Sequence, residues 1–201
     1  MNIQTLVLGP LQVNCYIVYE NQSCVVIDPG FEPERIMKTC EQLGLTIEAI
    51  LLTHGHFDHV GGVQPLVQAT GCALWMSQGD WSQVRNPMND YLYPIANCDF
   101  TEVQFCEDGQ VIRAADLAFS VLETPGHSWG SVCYRCGDAI FSGDTLFASG
   151  CGRTDLPGGD WNTIRESLRR LADFPGNADV YPGHGESTTL DNERSNNPYI
   201  Y

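Results

Sequence analysis

Short apolar runs separated by turn residues dominate the first part of the chain. Ile3–Leu8, Cys15–Tyr19 and Cys24–Ile27 are runs of this kind, and they are followed in turn by Gly-Pro, Asn-Gln and Asp-Pro-Gly. Apolar runs bounded by such turn residues predict β-strands. Ala49–Thr53 and Cys72–Met76 predict two further strands with buried side chains.

Helical spacing appears between these strands. A helix is predicted over about Pro33–Leu43, because proline suits the first helical position and Gly44 suits the position after the last turn. A second helical face is marked by four apolar residues: Val60, Val63, Leu66 and Val67.

The second half of the chain repeats this alternation. Strand-like runs lie near residues 101–105, 109–113, 117–123, 131–135, 138–142 and 178–181. Ile164, Leu168 and Leu171 share one face of a predicted helix. Residues 77–100 are less regular and predict a short helix and a long loop, which either covers a pocket or packs on its own sheet. The pattern indicates an α/β fold, and we expect residues 1–201 to form one domain with two sheets and outer helices.

The composition is that of a globular protein, with 43% hydrophobic and 17% charged residues. Ten basic residues stand against 25 acidic ones, which gives a net charge of −15. Nucleic-acid affinity depends on Lys and Arg that neutralise phosphates, so this balance argues against a nucleic-acid partner. No apolar run approaches the about 20 residues of a membrane-spanning helix, so no membrane association is expected.

The nine cysteines bear on the cellular compartment. The first basic residue is Arg35, so the basic region of a secretory signal peptide is missing, and we expect a cytoplasmic protein with reduced thiols. The Cys133-x-x-Cys136 spacing resembles half a zinc knuckle, but no second pair completes it.

The segment with the clearest chemistry is His54-Gly-His56-Phe-Asp58-His59, where a predicted strand gives way to a helix. His54 and His56 are two residues apart and can point the same way in an extended or turning backbone. Asp58 and His59 begin the next element and aim differently. One metal ion could not easily take all four side chains, but two adjacent ions could share them.

The other candidate ligands also follow predicted strands. His127 lies in Thr-Pro-Gly-His, Asp144 in Ser-Gly-Asp and His184 in Tyr-Pro-Gly-His-Gly. All five histidines of the chain therefore lie in turns after apolar runs, which favours a metal site over five separate structural roles. A donor set of five His and two Asp suits Zn²⁺, Fe or Mn better than Cu(I), Ca²⁺ or Mg²⁺.

These motifs resemble those of the metallo-β-lactamase superfamily. The chain is more closely similar to single-domain glyoxalase II-like hydrolases (hydroxyacylglutathione hydrolase-like), through residues 28–30 (DPG), 143–147 (GDTLF), 150–159 (GCGRTDLPGG) and 181–185 (YPGHG). The resemblance implies an αββα sandwich with metal ions at one edge of two mixed sheets. It also implies these ligands: His54, His56 and His127 for one ion, Asp58, His59 and His184 for a second, and Asp144 as the bridge.

The activity that the resemblance implies is thioester hydrolysis, with a hydroxide shared between two divalent ions, most simply Zn²⁺, as the nucleophile. Asp58 is also a candidate proton acceptor, although its role as a ligand is the simpler one. Arg153 either pairs with a substrate carboxylate or is a solvated residue. Asp28 either orients the site from behind the ligands or only starts a turn. Trp129 either lines the pocket or, more simply, belongs to the core.

Two departures from the two-domain glyoxalase II enzymes leave the acyl and thiol parts of the substrate open. The chain stops at Tyr201, so their C-terminal glutathione-binding helical domain is expected to be absent, and Asp155 and Glu186 stand where those enzymes have tyrosines. The alternatives are a persulfide dioxygenase with one iron, a hydrolase of another ester or lactone, or a metal-binding module without activity. The acidic balance disfavours a nuclease, and the missing export signal disfavours a β-lactamase.

Overall fold

The structure is a computed structural model that describes residues 1–84 and 103–200. Two six-stranded mixed sheets lie at the centre of this part of the chain. The first sheet contains, in spatial order, β1 (Asn2–Leu8), β2 (Val13–Glu20), β3 (Ser23–Ile27), β4 (Thr46–Leu51), β5 (Ala73–Ser77) and β6 (Val103–Cys106). The second sheet has the order β14-β13-β10-β9-β8-β7 and contains β7 (Val111–Ala114), β8 (Leu117–Glu123), β9 (Val132–Cys136), β10 (Ala139–Gly143), β13 (Asp179–Pro182) and β14 (Thr188–Thr189). Between β10 and β13 the chain forms a ribbon of β11 (Leu146–Phe147) and β12 (Gly150–Cys151).

The helices lie between and after the strands. They are α1 (Pro33–Leu43), α2 (Phe57–Val60), α3 (Val63–Thr70), α4 (Gln78–Val84), α5 (Trp161–Ala172) and α6 (Leu190–Asn196). The α1 bounds match the predicted ones, and Gly44 ends the helix in a left-handed conformation with φ of 67°. Across the described ranges 1–84 and 103–200, no helix is both long and apolar enough to cross a membrane.

Three groups of buried side chains show the order of the layers. Ile27 and Leu51 of the first sheet meet Phe119 and Phe141 of the second sheet between the two sheets. The outer face of the first sheet is covered by α1 and α3, through residues such as Ile36 and Leu66. The outer face of the second sheet is covered by α5 and α6, through Leu168 and Leu190. The predicted αββα sandwich is therefore confirmed.

One predicted helical face is divided between two helices. Gly61 and Gly62 separate α2 from α3, because the turn after β3 approaches them closely. Gly62 N–H donates to Pro29 O at 2.7 Å, and a Cβ atom on Gly61 would lie 2.3 Å from Gly30 O. The predicted short helix near residue 77 is α4, whereas residues 85–100 of the predicted long loop lie outside the described residues.

Strand direction brings distant turns to one edge. The strands β3, β4 and β5 are parallel to one another, and β10 is parallel to β13. The carboxyl ends of neighbouring parallel strands lie on the same side of a sheet. Val132 N–H donates to Thr53 O at 2.8 Å and joins the two sheets at this edge.

The Cys133-x-x-Cys136 pair is divided between the two faces of β9. Cys133 packs on the outer face of the second sheet, and Cys136 packs between the sheets. The two thiols therefore cannot share one metal ion.

Candidate metal centre

All seven candidate ligands lie at this edge of the sandwich. His54 and His56 lie between β4 and α2, Asp58 and His59 lie in α2, and His127, Asp144 and His184 follow β8, β10 and β13, respectively. Five of them are buried, whereas Asp144 and His184 are partly exposed. Solvent therefore reaches the cluster from the side of these two residues.

Three histidines form a first group of donors. Ring nitrogens of His54, His56 and His127 all lie within 4.8 Å of one another. Nδ1 of His56 is 2.8 Å from Nε2 of His127, and Oδ2 of Asp144 lies 3.5 Å from that same Nε2. Three imidazoles at this spacing are a donor set that a divalent transition metal accepts.

A second group lies on the other side of Asp144. Donor atoms of Asp58, His59 and His184 also lie within 4.8 Å of one another. Oδ2 of Asp58 is 3.2 Å from Nε2 of His184, and Oδ1 of Asp144 is 3.4 Å from Nε2 of His59. Oδ2 of Asp144, which lies near His127, is also 3.7 Å from Nε2 of His184. The carboxylate of Asp144 thus lies between the two groups, which fits the bridge that the resemblance implies.

A buried carboxylate behind the cluster sets the orientation of two rings. Oδ1 of Asp28 accepts the Thr53 N–H at 2.8 Å, and Oδ2 accepts the Thr53 hydroxyl at 2.6 Å and Nδ1–H of His59 at 2.9 Å. Because the Thr53 hydroxyl proton is already used, its oxygen accepts Nδ1–H of His54 at 3.0 Å. His54 and His59 therefore direct their Nε2 atoms into the cluster. Asp28 also starts a turn with φ of 50°, so it has both of the roles considered for it.

Backbone carbonyls orient two more rings. Nδ1–H of His127 donates to the Arg153 carbonyl at 2.8 Å, and Nδ1–H of His184 donates to the Leu11 carbonyl at 3.1 Å. Four of the five rings thus carry a proton on the outward nitrogen and direct the inward nitrogen into the cluster. His56 differs, because its Nδ1 is the nitrogen that faces the cluster.

Buried polar atoms without partners mark the centre of the cluster. Within residues 1–84 and 103–200, three buried side-chain atoms have no hydrogen-bond partner: Nε2 of His54, Nε2 of His59 and Oδ1 of Asp144. Such atoms normally have partners in folded proteins. One belongs to each donor group and the third to the carboxylate between them. Their position and chemistry fit a divalent metal ion on each side of Asp144.

The charges in the cluster favour the ligand protonation states of His56 and Asp144, whereas they raise the pKa of His59 and of His184, so that a metal ion would displace protons from these two rings. Burial lowers the pKa of His56 to about 4. Burial also acts to lower the pKa of His59, but the carboxylates of Asp144 and Asp28 outweigh it and raise that pKa well above its usual range. Burial acts to raise the pKa of Asp144, but His59, His127 and His184 together outweigh it and lower that pKa. At neutral pH, Asp144 is therefore ionised and His56 neutral, as metal binding requires.

Gly183 leaves the space that Asp144 and His59 occupy. A Cβ atom on Gly183 would lie 2.2 Å from Oδ1 of Asp144 and 2.7 Å from Cε1 of His59. The backbone there is fixed on both sides, since Gly183 N–H donates to Gly143 O at 2.8 Å and Asn14 N–H donates to Gly183 O at 2.7 Å. Only glycine fits this position without moving a ligand.

Sequence reasoning missed two buried residues that hold the ligand turns. Nδ2 of Asn14 donates to the carbonyls of Pro182 and Gly185, both at 2.9 Å, and so fixes the turn that carries His184. Asp80 accepts hydrogen bonds from two other ligand turns. Asp80 lies four residues after the apolar run Cys72–Met76, in a position similar to that of His127 after its strand, and that signal could have identified it. No sequence pattern distinguishes Asn14.

Two other residues considered from the sequence, Arg153 and Trp129, are placed differently from the ligands. The Arg153 guanidinium forms a bidentate pair with Asp155, with Nε–Oδ1 and Nη2–Oδ2 distances of 2.6 and 2.7 Å. Trp129 is 58% exposed, so its placement in the core is wrong. Its ring lies beside Gly158 at the surface, and a Cβ atom on Gly158 would be 2.8 Å from Cδ2 of Trp129.

The chain matches the family model of the metallo-β-lactamase superfamily over residues 8–184. It is 31% identical over 208 residues to the hydroxyacylglutathione hydrolase GloC of Haemophilus influenzae, and the alignment covers 100% of this chain and 98% of that protein. The chain is also similar to TTHA1623, whose crystal structure is of a di-iron-bound form. The sequence identity is 40% and the TM-score is 0.87, and the alignment covers 98% of this chain and 99% of that one. The BLEG-1 B3 metallo-β-lactamase is 32% identical with a TM-score of 0.91, covering 99% of each chain.

The family match spans the segments that bring the His/Asp cluster together, from the end of β1 to His184. The donor groups, the buried atoms without partners and the sandwich fold all agree with it. The chain therefore belongs to the metallo-β-lactamase superfamily of metal-dependent hydrolases.

Proposed function

We propose that this chain hydrolyses thioesters at a centre of two divalent metal ions. The observation that carries the proposal is the position of the Asp144 carboxylate between two groups of three donors, with Oδ1 3.4 Å from Nε2 of His59 and Oδ2 3.5 Å from Nε2 of His127. Similarity to a protein named as a hydroxyacylglutathione hydrolase, over the full length of both chains, supports a thioester as substrate.

The ligand assignment follows the two donor groups. His54, His56 and His127 would hold one ion, Asp58, His59 and His184 would hold the other, and Asp144 would bridge them. Two such ions would acidify a shared water and polarise a carbonyl, which is the chemistry that hydrolysis needs. Imidazole and carboxylate donors suit Zn²⁺, our first choice, and the di-iron form of TTHA1623 supports iron as the alternative.

The chain's own groups keep the ligands ready for this chemistry. Asp28 and the carbonyls of Leu11 and Arg153 hold the outward ring nitrogens. Burial acts to raise the pKa of Asp58, but the neighbouring His59 and His184 together outweigh it and lower that pKa. Asp58 is therefore ionised at neutral pH, which suits a ligand. Proton acceptance by Asp58 during the reaction stays a prediction.

A thioester suits this site because the departing thiolate needs little protonation, and no buried acid is required to assist it. Arg153 remains our candidate for contact with a substrate carboxylate. To make that contact its guanidinium would exchange Asp155 for the substrate, since the two side chains are paired. Both side chains are exposed, with 62% and 68% of their areas accessible, so the exchange costs little.

The test is hydrolysis of S-lactoylglutathione by the wild type and by Asp144→Ala, with metal content measured on both. In the wild type we expect about two ions per chain and turnover of the substrate. In Asp144→Ala we expect a lower metal content and a kcat/KM lower by a factor of at least about 10², because the bridging carboxylate is removed. Asp138→Ala is the matched control. Asp138 is exposed in the turn before β10, at the opposite end of the strand from Asp144.

The alternatives give different results in the same protein. One iron per chain with O₂ uptake on glutathione persulfide would indicate a dioxygenase. Hydrolysis of a chromogenic β-lactam without hydrolysis of any thioester would indicate a lactamase. A metal-loaded wild type that turns over no thioester would contradict the proposal.

A further inference from the structure

A second carboxylate, Asp80, lies buried beside the metal centre outside both donor groups. It lies in the first turn of α4, directly after β5, and none of its surface is exposed. Oδ2 of Asp80 accepts the Gly55 N–H at 2.8 Å and the Ser128 hydroxyl at 2.6 Å. Oδ1 accepts the Gly130 N–H at 2.6 Å.

These three donors belong to the two turns that carry the first donor group. Gly55 lies between His54 and His56, and Ser128 directly follows His127. The turns are far apart in the sequence, yet Nδ1 of His56 lies 2.8 Å from Nε2 of His127. Asp80 is therefore a direct link between the segments whose separation sets the spacing of the three rings.

The chemistry of the contact requires a carboxylate. Three donors converge on Asp80, and only a group that accepts without donating satisfies all of them. An asparagine of the same shape would turn its NH₂ group toward at least one N–H or O–H. Burial raises the pKa of Asp80, and the hydrogen bonds from Ser128, Gly55 and Gly130 act against that rise.

We propose that Asp80 is a positioning residue for the metal ion held by His54, His56 and His127. The inference rests on the proposed dinuclear centre. Asp80 touches neither group of ligands with its own oxygens and acts through the Gly55 amide and the Ser128 hydroxyl. Its effect is specific to one ion, because the second donor group is held by Asp28 at His59 and by Asn14 at the His184 turn.

The experiment is a Co²⁺ titration of metal-free protein in competition with chelators of graded affinity. The variants are Asp80→Asn and the milder Ser128→Ala, which removes one of the three hydrogen bonds. Asn14→Ala is the matched control, because it releases the turn of the other group. Circular dichroism and thermal unfolding establish that each variant is folded before it is titrated.

We expect two ions in the wild type and, in Asp80→Asn, a loss of about 10- to 100-fold in affinity for one of them. Ser128→Ala weakens the same ion by a smaller factor, and Asn14→Ala weakens the other ion. Nitrogen NMR of the imidazoles identifies which ion is weakened. The structure describes all five histidines, and among them only His56 faces the cluster with Nδ1, so a change at that nitrogen reports on the ion held by His54, His56 and His127.

The outcomes separate this inference from the proposed function. Wild-type affinities for both ions in folded Asp80→Asn would overturn the positioning role and leave the metal centre intact. If Asp80→Asn does not fold, Ser128→Ala decides, and an equal effect on both ions or no effect would overturn it. A wild type that binds no Co²⁺ would overturn the dinuclear centre itself.

Discussion

Replacement of Gly183 by alanine tests the geometry of Asp144, the proposed bridging carboxylate, with one added methyl group. The new Cβ atom would lie 2.2 Å from Oδ1 of Asp144 and 2.7 Å from Cε1 of His59. The backbone cannot retreat easily, because hydrogen bonds of 2.8 and 2.7 Å hold the Gly183 N–H and carbonyl. The carboxylate must therefore move by about 1 Å to restore ordinary contact distances.

A displacement of about 1 Å at a reacting centre costs about 10²-fold in rate, or about 2.7 kcal/mol in the activation barrier. We expect kcat/KM of Gly183→Ala for S-lactoylglutathione to fall by at least this factor, with lower metal content. Overpacking in the metal-free protein costs about 1–3 kcal/mol of stability, which urea unfolding measures separately.

Gly150→Ala is the matched control, because the nearest atom to its Cβ would be Phe147 Cβ at 3.7 Å. This variant should keep the wild-type rate and metal content. Wild-type activity and full metal content in Gly183→Ala would refute the reasoning, since the carboxylate could then tolerate the added methyl group.

Three further predictions concern stability. Burial acts to raise the pKa of Glu193, but hydrogen bonds from Thr188, Asn197 and the Ser149 amide outweigh it and lower that pKa from 4.5, so Glu193→Gln should lose about 1–3 kcal/mol at neutral pH. The pKa of Glu193 is lower in the folded than in the unfolded protein, so its contribution to stability is fully present above pH 4.5 and is lost as the pH falls through the folded pKa. Urea titrations at neutral and acidic pH should therefore show that the difference in free energy of unfolding between wild type and Glu193→Gln becomes smaller at acidic pH. Tyr134→Phe should cost about 1–2 kcal/mol in urea unfolding, because the buried Tyr134 hydroxyl donates to Leu52 O at 2.8 Å and leaves that carbonyl unpaired when removed; an unchanged midpoint would contradict this. Chelation of an ion present at about 100 times its Kd should lower the melting temperature by about 5–10 °C without unfolding the protein at 25 °C. Added Zn²⁺ should restore the melting temperature, and a melting temperature that is unchanged by the chelator would contradict a metal centre.

The seven candidate ligands were accessible from the sequence because each follows an apolar run. Strand ends collect at one edge of a sheet, so a polar residue after each of several strands indicates a common site. Asp80 also comes after an apolar run, but it lies in residues 77–100, whose irregular composition predicts only a short helix and a long loop. Asn14 lies inside β2 and acts on the turn of His184, about 170 residues away, and only the folded chain brings the two together.

Helix α6 shows a limit of hydrophobic patterning. Its sequence is polar, and its buried side chains are Leu190 and Glu193. The Thr189 hydroxyl caps its first turn by accepting the Asn192 N–H, and the Glu193 carboxylate accepts hydrogen bonds from distant segments. A helix held by polar tertiary contacts leaves no apolar period in the sequence. The exposed Trp129 is the opposite case, in which an aromatic residue suggests burial but lies at the surface.

The protein's own acceptors orient the rings of the metal centre, and this has a consequence for how ions arrive. Asp28, Thr53 and two backbone carbonyls order four imidazoles as the chain folds. A domain of this kind differs from a zinc finger, which gains its shape from the ion. We expect the ligands of the metal site to be in place before any ion binds. The metal content of the growth medium, rather than the folding reaction, should then determine whether the purified protein carries zinc or iron.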